Sequence, residues 1–315
     1  MIEFHTPKHT AGDKGFRKIA KTFIFHLKFS KGIWKLQKIW YTIIVCSGGG
    51  SLKKIFALVL VIIFLHTTCY ANDIKLPILM YHNINDEYKS HNTNVEMSSQ
   101  DFKDQMLALK ENGYTAILFK DYINYLKFGT ELPEKPILIT FDDGYLNNYT
   151  IAFPILKELG MKATIFVVTG RMGVDGMVTY PHFTWEQART MYESGVIDIQ
   201  SHTHYHSELI NLSKNDLILE LRKSKYLIEK NLGSKVNVLA YPYGYSSDTV
   251  RNEARIAGYE VCVEINDKIP KFNSEESNPF KLCRITAYGG VSGEKLIKTI
   301  EGAVYENWYY GSLFW

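Results

Sequence analysis

The chain has 315 residues, of which 46% are hydrophobic and 14% aromatic, a composition that excludes an intrinsically disordered protein. Its 36 Lys and Arg residues exceed its 33 Asp and Glu residues by three, but this charge is unevenly distributed. Residues 1–54 carry +9, from 11 basic and 2 acidic residues, so the remainder, with 25 basic and 31 acidic residues, carries −6. The acidic main part of the chain argues against a nucleic-acid-binding protein.

A short apolar segment near the N-terminus predicts export. Lys53 and Lys54 precede an uninterrupted apolar run of 11 residues at 55–65. A membrane-spanning helix needs roughly 20 such residues, whereas a shorter run after lysines is typical of a secretory signal peptide. We interpret 52–71 as a signal peptide cleaved after Ala71. The alternatives are an uncleaved signal anchor in the membrane and, on weaker grounds, a lipoprotein site at Cys69. The expected location is the cell envelope or the extracellular space.

Residues 1–51 form a basic extension in front of that segment. Gly48–Gly50 is the sequence that a translated ribosome-binding site would give, and Leu52 could be a misread start codon. We therefore hypothesise that translation begins at residue 52; the alternative is a genuine cytoplasmic tail. Residues 72–315 are long enough for one domain with a single core. Of the four cysteines, only Cys262 and Cys283 fall in this part, and whether they pair stays open.

Beyond residue 72, apolar strand-like runs alternate with amphipathic helix-like segments. Helices are predicted at 99–113, 121–128, 148–160, 184–195, 213–233 and 247–258, and Thr184 with Gln187 forms a capping-box pattern. Strands are predicted at 76–81, 114–119, 136–141, 163–168, 196–200, 236–240 and 259–264, with up to one more near 283–287. Such alternation indicates parallel strands joined by helices, and the strand count favours a single-domain α/β barrel of the TIM-like kind.

Four polar segments interrupt this pattern, each directly after a predicted strand. They lie at 81–83, 142–144, 201–206 and 241–244. In an α/β barrel the carboxyl ends of the strands face one another and carry the active site. Segments far apart in the sequence are therefore expected to meet in space.

The residue types in these segments suit metal-assisted hydrolysis. Two imidazoles, from His202 and His206, and one carboxylate, from Asp142 or Asp143, form a common catalytic zinc site. Neighbouring side chains in an extended segment point in opposite directions, so the other aspartate would take a proton from the attacking water. His204 could replace either histidine as a ligand. Each motif alone is a weak signal, whereas their joint order after strands is specific.

At these residues the sequence resembles the NodB-homology polysaccharide deacetylases, which form carbohydrate esterase family four. The densest similarity lies at 139–144, 163–167 and 201–206, with a third motif that ends in 242–244. The resemblance covers residues 76–287 and implies a deacetylase domain at 72–315, with its motif core at about 135–290. It implies a distorted (β/α)₇ barrel and a hydrolase of non-peptide carbon–nitrogen bonds.

The resemblance also implies a role for each motif residue. Asp142 would be the general base, and Asp143, His202 and His206 would bind a divalent metal, expected to be zinc, with cobalt or nickel as alternatives. The backbone N–H of Tyr243 would help to hold the oxyanion of the tetrahedral intermediate. The implied reaction removes N-acetyl groups from a polysaccharide that contains GlcNAc and releases acetate.

The sequence departs from the family pattern in two places. Val238 occupies the position of an arginine that normally orients the base, and no histidine follows His206 to act as the general acid. His82, after the first strand, is the best replacement by position, with a structural role as an equal alternative. Arg284 could replace the lost arginine, but we expect it at the surface. The setting of His82 resembles the exported poly-β-1,6-N-acetylglucosamine deacetylase branch.

Two alternatives to that function stay open at this point. The same site could deacetylate peptidoglycan, chitin oligomers or xylan, because fold-level resemblance does not determine the substrate. A catalytically impaired carbohydrate-binding protein is the other alternative, suggested by the two departures. Retention of Asp142 argues against it, since binding does not need a base beside a metal ligand.

Overall fold

The computed structural model describes residues 75–86, 95–174, 180–265, 273–274 and 277–302. The predicted extension at 1–51 and the predicted signal segment at 52–71 lie outside these residues. Within the described ranges, no helix has the length and apolar character needed to cross a membrane.

The described chain alternates strands and helices, as the apolar pattern predicts. The strands are β1 (Ile78–Tyr81), β2 (Asn83–Ile84), β3 (Glu96–Met97), β4 (Thr115–Ile117), β5 (Pro136–Phe141), β6 (Ala163–Val167), β7 (Ile197–Ser201), β8 (Val238–Ala240), β9 (Val261–Ile265) and β10 (Leu282–Thr286). The helices are α1 (Ser99–Glu111), α2 (Phe119–Phe128), α3 (Phe153–Leu159), α4 (Trp185–Glu193), α5 (Lys214–Leu232), α6 (Asp248–Ile256) and α7 (Gly293–Ile300). Short 3₁₀ turns follow three strands, at Thr169–Arg171, Leu209–Asn211 and Pro242–Gly244.

Seven parallel strands close into a barrel. β1 pairs with β10 on one side and with β5 on the other, and β5 through β10 pair in chain order. The predicted (β/α)₇ barrel is therefore confirmed, although the ring has a different membership from the seven strands first counted. β10, predicted only as an addition, belongs to the ring. β4, which ends where α2 begins at Phe119, pairs with β5 alone and lies outside the ring.

The strands are buried on both faces, which explains why they read as continuous apolar runs. All six residues of β5 are buried. Alternate residues belong to two different apolar clusters, since side chains along a strand point to opposite faces. One cluster joins ring residues to side chains of α2 and includes Ile78, Leu138, Phe166, Val238, Val261, Leu282, Phe119 and Tyr122. The other lies between the strands and the surrounding helices.

Two helix starts illustrate the local rules. The predicted capping box is present: the Thr184 hydroxyl accepts the Gln187 N–H, and the Gln187 side chain accepts the Thr184 N–H. The helix predicted at 148–160 instead starts as a π-helical turn, Asn148–Ala152, before α3. Pro154 has no N–H to donate to the preceding turn, so the α-helical hydrogen bonds cannot run through this point.

Candidate active site

The polar segments predicted to converge do so at the carboxyl ends of the ring strands. Asp142 and Asp143 follow β5, His202 and His206 follow β7, and Tyr243 follows β8. His82 directly follows β1. The six side chains selected from the sequence therefore occupy one end of the barrel.

Three of these side chains form a set with the composition of a metal site. Ligand atoms of Asp143, His202 and His206 all lie within 4.8 Å of one another. Asp143 Oδ1 lies 3.8 Å from His202 Nε2 and 3.4 Å from His206 Nε2. This oxygen is buried and has no hydrogen-bond partner among the described residues. A buried carboxylate oxygen without a donor, facing two imidazole nitrogens, fits a divalent ion bound by one oxygen and two nitrogens.

The hydrogen bond of His202 and the lowered pKa of His206 suit that use. His202 Nδ1 lies 2.8 Å from the Ala240 carbonyl oxygen, to which it donates, so its Nε2 is left as a lone-pair donor. Burial, with help from the neighbouring His202, lowers the pKa of His206 to about 4. His206 is therefore neutral at pH 7, as a metal ligand must be.

His204 is turned away from this set. Its Nδ1 lies 2.9 Å from Thr169 Oγ1, and its ring packs against Tyr205 with 4.0 Å between the ring centroids. The backbone N–H of Gly170 also donates to the His204 carbonyl oxygen, at 2.7 Å. The alternative that His204 replaces one of the two ligand histidines is therefore wrong for this geometry.

Asp142 forms a buried ion pair with Arg284, a contact that the sequence left open but did not favour. Arg284 Nη1 and Nη2 donate to the two Asp142 oxygens at 2.6 and 2.7 Å. The expectation that Arg284 lies at the surface is wrong, since its residue exposure is 2%. It follows Leu282 by two residues, so it shares the strand face that contributes Leu282 to the cluster with Phe166. This contact is the one expected if Arg284 replaces the arginine that the family resemblance places at Val238.

This pair determines the charge of Asp142. Burial alone would raise the pKa of the Asp142 carboxyl, but the Arg284 guanidinium, the largest opposing influence, holds the pKa below its usual range. The Asp142 carboxylate is therefore ionised at neutral pH, and its bidentate contact with Arg284 fixes its orientation.

His82 lies in the same electrostatic environment. Its side chain is partly exposed, whereas its Nδ1 is buried and has no hydrogen-bond partner among the described residues. Burial lowers the pKa of His82, against the raising effect of Asp142 and Asp143. Asn148 donates from Nδ2 to the His82 carbonyl oxygen at 2.7 Å, which fixes the backbone after β1.

Tyr243 occupies a strained turn at the edge of the site. It has φ 60° and ψ 5°, a left-handed conformation that is uncommon for a side-chain-bearing residue. Its ring lies 4.8 Å from that of His206 and stacks on Tyr245, with 6.5 Å between those centroids. Both tyrosines are 54% exposed, so they lie at the protein surface beside His206.

Sequence reasoning missed two further residues beside Asp143. Burial, with the nearby Asp143 carboxylate adding to it, raises the pKa of the Tyr145 hydroxyl. Tyr145 follows the aspartates by two residues, and that proximity was a usable signal. His182 packs on the Tyr145 ring at 5.1 Å and is 4% exposed, with neither ring nitrogen paired among the described residues. Burial lowers its pKa to about 4. Nothing in its sequence context marks it.

The sequence left open whether Cys262 and Cys283 pair, and they form no disulfide with each other. Cys262 is buried on β9, and Cys283 is partly exposed on β10. Burial raises the pKa of the Cys262 thiol to about 12, so this sulfur is inert at neutral pH.

Comparison with known proteins agrees with this geometry. Residues 129–262 match the family model described as "Polysaccharide deacetylase". YxkH of Bacillus subtilis (strain 168), assigned to the polysaccharide deacetylases, is 34% identical over 227 residues, which cover 72% of this chain and 76% of YxkH. The poly-beta-1,6-N-acetyl-D-glucosamine N-deacetylase of Staphylococcus aureus (strain MSSA476) is 29% identical over 194 residues, 58% of this chain and 66% of that protein.

A solved structure extends the similarity to the fold. The Streptococcus pyogenes deacetylase PplD, in complex with acetate, aligns with a TM-score of 0.66 and 29% identity. The alignment covers 73% of this chain and 99% of PplD. The barrel, the clustered motif residues and the similarity to YxkH lead to one conclusion. The chain belongs to the polysaccharide deacetylase family, whose members are hydrolases of N-acetyl amide bonds.

Proposed function

We propose that this protein is a divalent-metal-dependent N-deacetylase that removes acetyl groups from a GlcNAc-containing polysaccharide, with the β-1,6-linked polymer as its substrate. One observation carries the proposal: Asp143, His202 and His206 converge next to a second carboxylate, Asp142, that an arginine keeps ionised. The similarity to the Staphylococcus aureus enzyme named for poly-beta-1,6-N-acetyl-D-glucosamine supports the choice of polymer.

The proposed ligands are Asp143, His202 and His206, with zinc as the expected ion and cobalt or nickel as alternatives. The bound ion would act as a Lewis acid toward the acetyl carbonyl and acidify the attacking water. The unpaired Asp143 Oδ1 and the free Nε2 of His202 support this assignment.

Asp142 is the proposed general base. It takes a proton from water as the oxygen attacks the acetyl carbon, and Arg284 keeps the carboxylate ionised and correctly oriented during the attack. The Tyr243 N–H is proposed to donate to the oxyanion of the tetrahedral intermediate. Tyr243 has a left-handed backbone conformation beside His206. Strained conformations of this kind cluster at active sites, which supports the proposed role.

His82 is the proposed general acid. It gives a proton to the sugar nitrogen when the carbon–nitrogen bond breaks, so that acetate and a free amine leave. Its position directly after β1, at the same end of the barrel as Asp142 and Asp143, supports the role. No histidine follows His206 in the sequence, so His82, after the first ring strand, is proposed to act as the proton donor in its place.

The location and domain limits are proposals from the sequence. We assign 72–315 to the deacetylase domain and 52–71 to export, with an uncleaved membrane anchor as the alternative. An exported enzyme would meet a polysaccharide of the cell envelope or the surrounding matrix.

The test is acetate release from β-1,6-linked GlcNAc oligomers by the purified protein with added zinc or cobalt. Asp142→Asn is the matched control, because an amide of the same size cannot accept the proton. Release by the wild type but not by Asp142→Asn is expected. No release with metal still bound would reject this polymer and direct the assay to peptidoglycan and chitin oligomers. If no acetate is released from those oligomers either, the carbohydrate-binding alternative is favoured.

A further inference from the structure

A buried carboxylate on α5 contacts the segment that carries the ligand histidines. Glu220 is 3% exposed. Its Oε2 accepts the backbone N–H groups of His204 and Tyr205, both at 2.8 Å, and its Oε1 accepts the Ser207 hydroxyl at 2.9 Å. Burying a carboxylate is unfavourable unless donors replace water, and here three donors from one loop do so.

This loop needs external support because its backbone is strained. Thr203 and His206 have φ values of 69° and 63°, in the left-handed region. Thr203 Oγ1 accepts the His206 N–H at 3.1 Å, which links the two strained residues to each other. Strained conformations of this kind persist only where the surroundings impose them.

The contacts of Glu220 lie on both sides of His206. Tyr205 precedes this histidine and Ser207 follows it, and both donate to the same carboxylate. His202 is held differently, by its own bond to the Ala240 carbonyl oxygen at the end of β8. Loss of Glu220 would therefore release one ligand histidine and leave the other in place.

We infer that Glu220 is a positioning residue that holds His206 in reach of Asp143 and His202 and thereby sets the affinity of the site for its divalent ion. The inference rests on the metal site of the proposed function. Glu220 touches neither the ion nor the substrate, and it acts through the loop. Residues that orient metal ligands typically change metal affinity by 10–100-fold when they are removed.

The test compares Glu220→Ala, Glu220→Gln and the control Glu229→Ala in the full chain. Glu229 lies on the same helix, where it accepts the Val236 N–H instead of contacting the loop. Zinc stoichiometry and dissociation constants are measured by competition with a chromophoric chelator, and zinc-free thermal unfolding verifies that each variant is folded.

Glu220→Ala is expected to weaken zinc binding by about 10–100-fold. Glu220→Gln should stay within about threefold, because its amide oxygen can accept both N–H groups while its NH₂ donates to Ser207. Glu229→Ala should match the wild type. Should Glu220→Ala fail to fold, Ser207→Ala removes one of the three contacts with little change in volume, and it should weaken zinc binding measurably.

Wild-type affinity in Glu220→Ala, or in Ser207→Ala if the first variant does not fold, would overturn the inference. Affinity lost equally in Glu220→Gln and Glu220→Ala would also overturn it, since charge and not the hydrogen-bonded support would then be responsible. Absence of zinc binding by the wild type would overturn the metal site of the proposed function and this inference together. Equally tight zinc binding by the wild type and the Glu220 variants is a different outcome, and it would overturn this inference alone.

Discussion

The buried pair between Asp142 and Arg284 makes a quantitative prediction for Arg284→Met. Methionine fills much of the same volume but offers no donor, so the Asp142 carboxylate would be left buried and unpaired. Two unit charges about 4 Å apart interact by about 4 kcal/mol at an effective dielectric constant near 20. Removal of one partner from a buried pair costs about 3–5 kcal/mol in other proteins. We expect the free energy of unfolding at pH 7 to fall by that amount.

The effect has a defined pH dependence. Because the pKa of Asp142 is lowered in the folded protein, the pair stabilises the fold above the unfolded pKa near 4. That stability is lost as the pH falls toward the folded pKa. The difference between wild type and Arg284→Met should therefore be largest at neutral pH and shrink on acidification.

Urea unfolding of four proteins, with a chelator present, measures the coupling directly. They are the wild type, Arg284→Met, Asp142→Asn and the double variant. We expect the double variant to be more stable than the sum of the single losses by about 2–3 kcal/mol, because no unpaired charge remains. A loss below about 1 kcal/mol in Arg284→Met, or strict additivity in the cycle, would refute the reasoning.

Four further variants test other parts of the description. His82→Ala should lower kcat heavily while zinc content is unchanged, and near-normal turnover would reject His82 as the acid. His204→Gln should leave zinc stoichiometry at the wild-type value, whereas loss of zinc would make it a ligand after all. Burial raises the pKa of Asp198 to about 6, so ionisation of this carboxyl destabilises the fold progressively as the pH rises from 4 to 6. Asp198→Asn should therefore raise the free energy of unfolding at pH 7, measured by urea titration, by up to about 3 kcal/mol. An unchanged value would contradict this. Gly244→Ala would place its Cβ 2.6 Å from Ile265. We expect the free energy of unfolding to fall by about 1–3 kcal/mol and the turnover to be reduced. Unchanged stability and turnover would show that this position tolerates a side chain.

Much of the fold could be predicted because parallel strands buried on both faces leave an unambiguous apolar signal. The sequence predicted the bounds of β5 and β6 to within one residue, because all six residues of β5 and all five of β6 are buried. The ring membership could not be predicted, because strand pairing depends on long-range register. β4 and β10 differ little in apolar character, yet only β10 lies between β1 and β9.

The candidate site shows the same division between local and distant information. Asp142, Asp143, His202 and His206 stand in contiguous motifs, so their convergence follows from the strand ends alone. Arg284 lies in no motif, and its partner is 142 residues earlier in the chain. An isolated arginine is more often exposed than buried, and only the closed barrel shows that this one points inward.

The insertion of β10 between β1 and β9 has a consequence for the order in which activity is acquired during synthesis. A ribosome releases the three proposed metal ligands well before Arg284, because His206 precedes it by 78 positions. A chain that ends before β10 contains all three proposed ligands in its sequence but lacks both the strand that closes the ring and the guanidinium that pairs with Asp142. Asp142 acquires its counter-ion in the same event that closes the barrel, so the proposed base is complete only when the last ring strand is in place.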